Sequence, residues 1–250
     1  AARAFKRSLM QRLFTYGPGR EPAPTKETEI GEIPAHWEVV KLGSLVDLLS
    51  GYTFSSEQYI DTIDAPRLLR GDNIAQGTLR WENAKRWAVE NTDGLEQYWL
   101  QEGDVVLAMD RPWIPAGVKC ASVGRADLPS LLVQRVARLR SNGRLNCVLL
   151  RQILSGQRFV SYVRSVQTGT SVPHISATQI RDFRVVLPPL AEQEMIADAL
   201  DAVDECVAVG EDRKTALEAL FKSMLHQLMT GQIRLLSDEG LPLKPWRLEA

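Results

Sequence analysis

Toward the C-terminus, apolar residues recur at spacings that alternate four and three: Ile196, Leu200, Val203, Val207, then Leu217, Phe221, Met224 and Leu228, with Gly210 and Lys214 filling the two middle positions. This is the a/d register of a heptad seam, kept over 33 residues. It predicts one long α-helix whose apolar stripe needs a partner. At 1.5 Å per residue the seam is roughly 50 Å long, and an isolated helix would leave it in water. Gly210 and Lys214 interrupt it midway, where a partner helix can approach closely or a register can be set. At the other end of the chain, Phe5, Leu9 and Leu13 stand four apart and predict a short amphipathic helix over residues 3–14.

Between the helices the period changes. Gly17, Pro18, Gly19, Pro22 and Pro24 cannot continue a helix, and residues 25–31 stay polar, so a linker is expected up to Ile33-Pro34. From Trp37 to about Leu187 short β-rich runs alternate with brief helical patterns. Strands are predicted at 39–41, 66–70, 105–109, 118–122, 132–140 and 183–187, and helices at 42–49, 145–154, 158–166 and 177–182. The expected class is α+β: a globular domain of about 150 residues, large enough for its own core, followed by a long coiled-coil helix and preceded by a short one. The expected divisions are 1–16 (helix), 17–31 (linker), 32–189 (globular domain), 190–232 (long helix) and 233–250 (tail).

A short internal repeat frames this domain. Arg7-Ser8-Leu9-Met10-Gln11-Arg12-Leu13-Phe14-Thr15 aligns without gaps on Lys222-Ser223-Met224-Leu225-His226-Gln227-Leu228-Met229-Thr230. Chance likeness between amphipathic helices is one explanation; the other is that the chain begins with a copy of the way its long helix ends.

Composition changes little by itself. At 44% hydrophobic and 24% charged the chain of 250 residues is ordinary for a soluble protein. No apolar run approaches the roughly 20 residues that cross a bilayer, and the start mixes charged and apolar residues, so neither a membrane span nor a secretory signal is expected. Cys120, Cys147 and Cys206 are widely spaced, form no C-x-x-C pair and are read as small hydrophobes in or near a core, in a reducing cytoplasm.

The distribution of charge says more than the net value of −1. Residues 27–64 hold eight acids against Lys41 alone, residues 134–184 hold nine arginines against Asp182 alone, and residues 185–212 hold eight acids and no base. Arginine suits forked contact with phosphate or guanine. Pairing of the same arginines with the acidic blocks inside the fold is the alternative.

Several motifs stand in order along the chain: Gly31-Glu32-Ile33-Pro34-Ala35-His36-Trp37-Glu38-Val39 with Lys41-Leu42-Gly43, Arg70-Gly71-Asp72-Asn73-Ile74 with Gly77, Gly103-Asp104-Val105-Val106-Leu107, Thr168-Gly169-Thr170 through Ile175, then Phe183 and Leu187-Pro188-Pro189-Leu190-Ala191-Glu192-Gln193. Together they resemble the specificity subunit of Type I restriction–modification systems, over nearly the whole chain. The resemblance implies a non-catalytic subunit that reads double-stranded DNA for methyltransferase and restriction subunits. S-adenosylmethionine would be held by the methyltransferase subunit, and no cofactor by this chain. Two target recognition domains joined by an antiparallel helical spacer are the family's pattern, whereas here there is one. A half-length subunit pairing with a second copy, or the second half of a longer chain, would account for that. Residues 3–14 span only about 18 Å and cover roughly a third of the long helix, which also calls for a missing partner. A symmetric pair would place two recognition domains at opposite ends and read an interrupted, roughly palindromic site.

Candidate DNA contacts cluster in loops. Arg70 and Asn73 follow a strand, Arg80, Lys85 and Arg86 lie in a basic-aromatic stretch, and Arg111 and Trp113 sit between two strands in the loop where the family brings DNA close. Trp113 packing into the core is the competing reading. Arg135 belongs to the basic block. Thr168, Thr170 and Ser171 around Gly169, with His174 nearby, form a candidate phosphate clamp; a turn ahead of a Ser176-x-x-Gln179 capping box explains the same residues. Pro188-Pro189 is flanked by Leu187 and Leu190, which cannot accept from an exocyclic amine as an amino-methyltransferase motif must, and reads as a strand-to-helix joint. P-loop, dinucleotide and nucleophile-elbow motifs are absent from the sequence. A DNA-recognition subunit and a coiled-coil adaptor with a protein-binding head are the two function classes left open.

Overall fold

A four-stranded sheet whose two central strands bury both of their faces organises the chain. The structure, a computed structural model, describes residues 2–115, 117–168 and 172–233. It opens with helix α1 (Ala2–Tyr16) and strands β1 (Thr25–Thr28), β2 (Gly31–Pro34), β3 (Glu38–Lys41), β4 (Val46–Ser50), β5 (Arg67–Leu69) and β6 (Lys85–Arg86). Strands β7 (Val105–Ala108), β8 (Trp113–Ile114), β9 (Gly117–Val118), β10 (Cys120–Ser122), β11 (Ser130–Leu132) and β12 (Val136–Ser141) follow. Helices α2 (Cys147–Ser155), α3 (Gln157–Val166) and α4 (Ala177–Asp182), strand β13 (Arg184–Leu187) and helix α5 (Leu190–Met229) complete it. The chain divides into two compact units, one of Arg3–Asp201 and one beginning at Ala202.

In the first unit the central sheet has the order β10-β7-β12-β4 and is antiparallel throughout. Side chains alternate across a strand. Val105 and Leu107 of β7 therefore enter one core with Leu149 of α2, Phe159 of α3 and Ile196 of α5, while Val106 and Ala108 enter a second with Leu69 and Leu132. Because both faces are covered, β7 reads as an unbroken apolar run. Leu69 and Leu132 belong to β5 and β11, which pair in parallel within the sheet β11-β5-β6. The opposite face of that pair, Leu68 and Leu131, packs on an aromatic cluster of Phe54 and Trp87. Helices, sheet, sheet and aromatic cluster thus follow one another as layers.

The ends of the unit are tied together. Strand β3 pairs antiparallel with β13, matching Arg184 to Lys41 and Leu187 to Glu38. Glu192, in the first turn of α5, accepts from the Trp37 indole at 3.0 Å and lies 2.7 Å from His36 Nε2. Gln193, fully buried, accepts from the Asn146 N–H at 2.8 Å and donates to the carbonyls of Arg144 and Pro188 at 3.0 and 2.9 Å. The Pro34–Trp37 and Pro188–Gln193 motifs are therefore one joint.

Expected and observed elements differ most in three places, besides the short strands β6 and β8 and the division of the strand expected at 118–122 into β9 and β10. Residues 42–49, expected as a helix, form a 3₁₀ turn (Leu42–Ser44) and then β4. The apolar spacing there fits both periods, and the ladder offered by β12, five residue pairs long, selects the strand. The strand expected over 132–140 breaks at Arg135, where φ is +66° and the chain passes from one sheet to the other. Within the expected linker, β1 and β2 pair as a hairpin, turning at Thr28↔Gly31. The first strand, Thr25-Lys26-Glu27-Thr28, is polar on both faces and so carries no hydrophobic period. The helices expected at 3–14, 145–154, 158–166 and 177–182 are present as α1 to α4, and Ser176 and Gln179 form the reciprocal capping box. The expected tail, residues 233–250, lies outside the described residues beyond Ile233.

The heptad positions fare differently in the two units. Ile196 and Leu200 are fully buried in the core of the first. In the second, Leu217, Phe221 and Met224 are 55%, 67% and 46% exposed, Val203, Val207 and Leu228 are half-buried, and the backbone around Gly210 is open. Among the described residues no helix is long and apolar enough to cross a membrane.

Two measurements check this packing. Gln193→Leu strands one buried N–H and two carbonyls and is expected to cost about 3 kcal/mol in chemical denaturation; an unchanged midpoint would show that the joint is not closed by this side chain. Burial pushes the Cys120 thiol up to about 12, as a core position requires, whereas Cys147 and Cys206, expected in or near a core, are exposed on their helices. A thiol reagent at pH 8 should therefore modify two cysteines quickly and the third only on unfolding.

Candidate nucleic-acid interface

Strands β5, β7 and β11 each end by delivering their next residues to one open groove of about 880 Å³. Arg70 and Asp72 follow β5, Asp110 and Arg111 follow β7, and Gln134 and Arg135 follow β11. Lys85 opens β6, Lys119 precedes β10, and Ser56, Tyr59 and Asp61 come from the loop after β4. The parallel pairing of β5 with β11 is what brings two of these strand ends together.

The junction carrying Arg135 is clamped on both sides. Tyr52 donates from its N–H to Leu132 O at 3.0 Å and accepts from the Gln134 N–H at 2.7 Å, while the Met109 N–H donates to Arg135 O at 2.8 Å. Gly51 makes the first clamp possible, since a Cβ there would stand 2.1 Å from Val133 O. The loop carrying Arg111 is held by its own N–H, which donates to Pro173 O at 2.7 Å. Arg111 and Arg135, with φ of +44° and +66°, are the non-glycine residues on left-handed backbone among the described residues. Each such residue costs about 1–2 kcal/mol and persists only where its surroundings impose it.

The groove is cationic. Arg70, Lys85, Arg111, Lys119 and Arg135 line it against Asp61, Asp72 and Asp110. Arg70 pairs with Asp72 at 3.0 Å, and Arg135 Nε stands 3.7 Å from Asp110, whose other oxygen is 2.6 Å from His174 Nδ1. No ion pair joins Lys85, Arg111 or Lys119 to a carboxylate among the described residues. Burial holds the half-buried Lys119 ammonium below the ordinary lysine range; Asp72 draws it back up, Arg111 pushes it further down, and Asp110 raises it. A recessed cation with no carboxylate in ion-pair contact, in one groove with two further cations that make none, is suited to a polyanion. No cluster of metal-ligating side chains occurs among the described residues.

Of the residues singled out in the sequence, the structure brings Arg70, Lys85, Arg111 and Arg135 into this groove, with His174 behind Asp110. Thr168 is exposed beside it, paired with His174 through the backbone at 2.9 and 2.8 Å. Thr170 and Ser171 lie outside the described residues. Asn73 is buried, accepting from the Arg70 N–H and donating to Arg80 O, both at 3.0 Å, so it shapes the turn that presents Arg70. Arg80 is exposed outside the groove lining. Arg86 donates to Ala65 O at 2.6 Å. Trp113 packs against the first core, donates to Gln167 at 3.1 Å and lies under the Arg164 guanidinium at 4.1 Å.

The sequence reading missed Lys119 and Gln134. Lys119 sits between buried Val118 and Cys120, and alternation puts it on the other face; only that pleat was available as a signal. The basic block at 134–184 does not form one face. Arg138, Arg140, Arg151 and Arg184 pair with Asp47, Asp104, Asp201 and Glu29, and Arg181 donates to Leu48 O.

Glycine at the Arg135 junction would relieve the backbone at the loss of a long, exposed ion pair that contributes little. Arg135→Gly is therefore expected to gain about 1 kcal/mol in denaturation. A less stable variant would mean that the arginine side chain itself holds the junction.

Comparison with known proteins accords with this geometry. The model of the Type I restriction modification DNA specificity domain matches residues 34–219. The specificity subunit of the Type I restriction enzyme MjaVIII from Methanocaldococcus jannaschii is 31% identical over 230 residues, covering 92% of this chain and 53% of the relative. That of EcoAI from Escherichia coli is 33% identical over 207 residues, covering 82% and 34%. The chain thus spans about half, or less, of these relatives' length. Among solved structures, the HsdS subunit of Thermoanaerobacter tengcongensis superposes with a TM-score of 0.55 at 19% identity, over 90% of this chain and 50% of that one, a likeness of fold. With the family model matching well over half of its residues, the chain belongs to the Type I restriction modification DNA specificity domain family.

Proposed function

We propose that the chain is a sequence-recognition subunit of a Type I restriction–modification complex, reading one half of a bipartite DNA site without catalysis of its own. The observation that carries this is the groove in which Lys85, Arg111 and Lys119 converge without carboxylate partners. In this reading residues 32–189 form the recognition domain and residues 190–232 the spacer. Double-stranded DNA is the ligand, and methyltransferase and, through the complex, restriction subunits are the partners. S-adenosylmethionine belongs to the methyltransferase.

The exposed stripe of Leu217, Phe221 and Met224 supports a helical partner for the spacer, whether a second copy or a missing half. Ile196 and Leu200 are already taken up by the core, so the partner's seam begins at Val203. Coexpression with a Type I methyltransferase subunit, followed by mapping of methylated adenines, tests the reading. An interrupted inverted repeat is expected if two copies assemble, and an interrupted asymmetric motif if another half is supplied. Absence of both, with the methyltransferase folded and the chain bound to it, would overturn the proposal. Salt provides a second check, because each phosphate contact loses about 3.5-fold in affinity for a fourfold rise in ionic strength. Three or more contacts should cost at least roughly 40-fold, and Arg111→Ala with Arg135→Ala should weaken DNA binding while leaving self-association intact. A protein-binding head would show neither effect.

A further inference from the structure

The groove presents two kinds of cation. Arg111 and Arg135 stand on left-handed backbone on either side of one carboxylate: Arg111 follows Asp110 in the chain, without an ion pair to it, and Arg135 points Nε at Asp110 Oδ2 from 3.7 Å. With Nε turned toward Asp110, the two terminal nitrogens of Arg135 are left for another acceptor. Asp110 is itself fixed by His174, whose ring donates from Nδ1 to Oδ1 at 2.6 Å because a carboxylate only accepts. The backbone is locked as well, since the Met109 N–H donates to Arg135 O and the Ile175 N–H to Met109 O at 2.9 Å. Lys119 and Lys85 differ in every respect: they are point charges on flexible stems, and no such network aims them.

We propose that Arg111 and Arg135 read base edges, with Asp110 as their shared positioning residue, while Lys119 and Lys85 grip phosphate. The proposal rests on the DNA-recognition reading above and divides its site into reading and gripping parts. A diffuse phosphate ribbon tolerates slack in the side chain that meets it, whereas a base is discriminated only by a fork held in place, and the forked partner of arginine is guanine O6 and N7. The half-site should therefore contain a guanine facing each arginine. The recess that keeps the Lys119 ammonium costly in the free protein is relieved by a bound anion of any sequence.

Selection from a duplex library of randomised sequence by the full chain, followed by titration of the selected duplex over a salt series, separates the roles. Arg111→Lys and Arg135→Lys keep charge and Cβ but lose the fork. Each should erase one guanine preference, a loss of about 10- to 100-fold in discrimination, with the salt slope unchanged. Lys119→Ala should weaken all duplexes about equally and lower the salt slope by about one contact, with the motif intact. Asp110→Asn should blur both guanine positions together, an effect that loss of fold would not mimic because phosphate affinity persists. Two lysine variants that select the parental motif would overturn the proposal, as would a Lys119→Ala chain that selects a different one; in both cases the recognition reading survives. A parent chain that selects no motif at all would overturn both.

Discussion

Burial of both faces of β7 and β12 is the constraint on which the rest depends. Once Val105 and Leu107 are committed to the helical core and Val106 and Ala108 to the core shared with β5 and β11, a slip of one residue would exchange the side chains of the two cores and spoil the packing of both. The register then determines which residues leave the sheets and where. Asp110-Arg111 and Gln134-Arg135 meet because β11 ends beside β5, β12 begins against the end of β7, and the chain reverses between the two sheets at Arg135. The groove is a consequence of sheet pairing, and its loops carry the strain that pairing imposes on them.

Charge follows the same logic. The arginine-rich block is largely turned inward or sideways to hold layers together: Arg140 grips buried Asp104 with two hydrogen bonds at 2.7 and 2.8 Å, and Arg138 pairs with Asp47 across to β4. Four of the five groove cations come from outside that block, from positions between Arg70 and Lys119. Burial costs charged groups heavily unless paired, so Arg138 and Arg140 on the central sheet are paired, while Lys85, Arg111 and Lys119 in the groove make no ion pair among the described residues.

The family motifs prove to be architecture more than recognition surface. Trp37, Glu192 and Gln193 close the joint between the start of the unit and the start of α5, and Asn73 braces its turn. Each could be located in the sequence because a joint of this kind needs particular atoms at particular positions. The loops that line the groove carry little pattern of their own.

What the sequence by itself determined is what depends on near neighbours: the two helices at its ends and the three inside, the capping box, the apolar run of β7, the joint at Pro188-Pro189 and the family. Period and capping are local properties, readable wherever they occur. Only tertiary structure decided that residues 42–49 extend rather than coil, that one apolar run at 132–140 is two strands with a left-handed arginine between them, and that Ile196 and Leu200 are core while Phe221 is surface. Lys119 reached the groove by the same route. Those outcomes rest on which distant strand offers a ladder and which face another layer covers, and neither is written in the spacing of nearby residues.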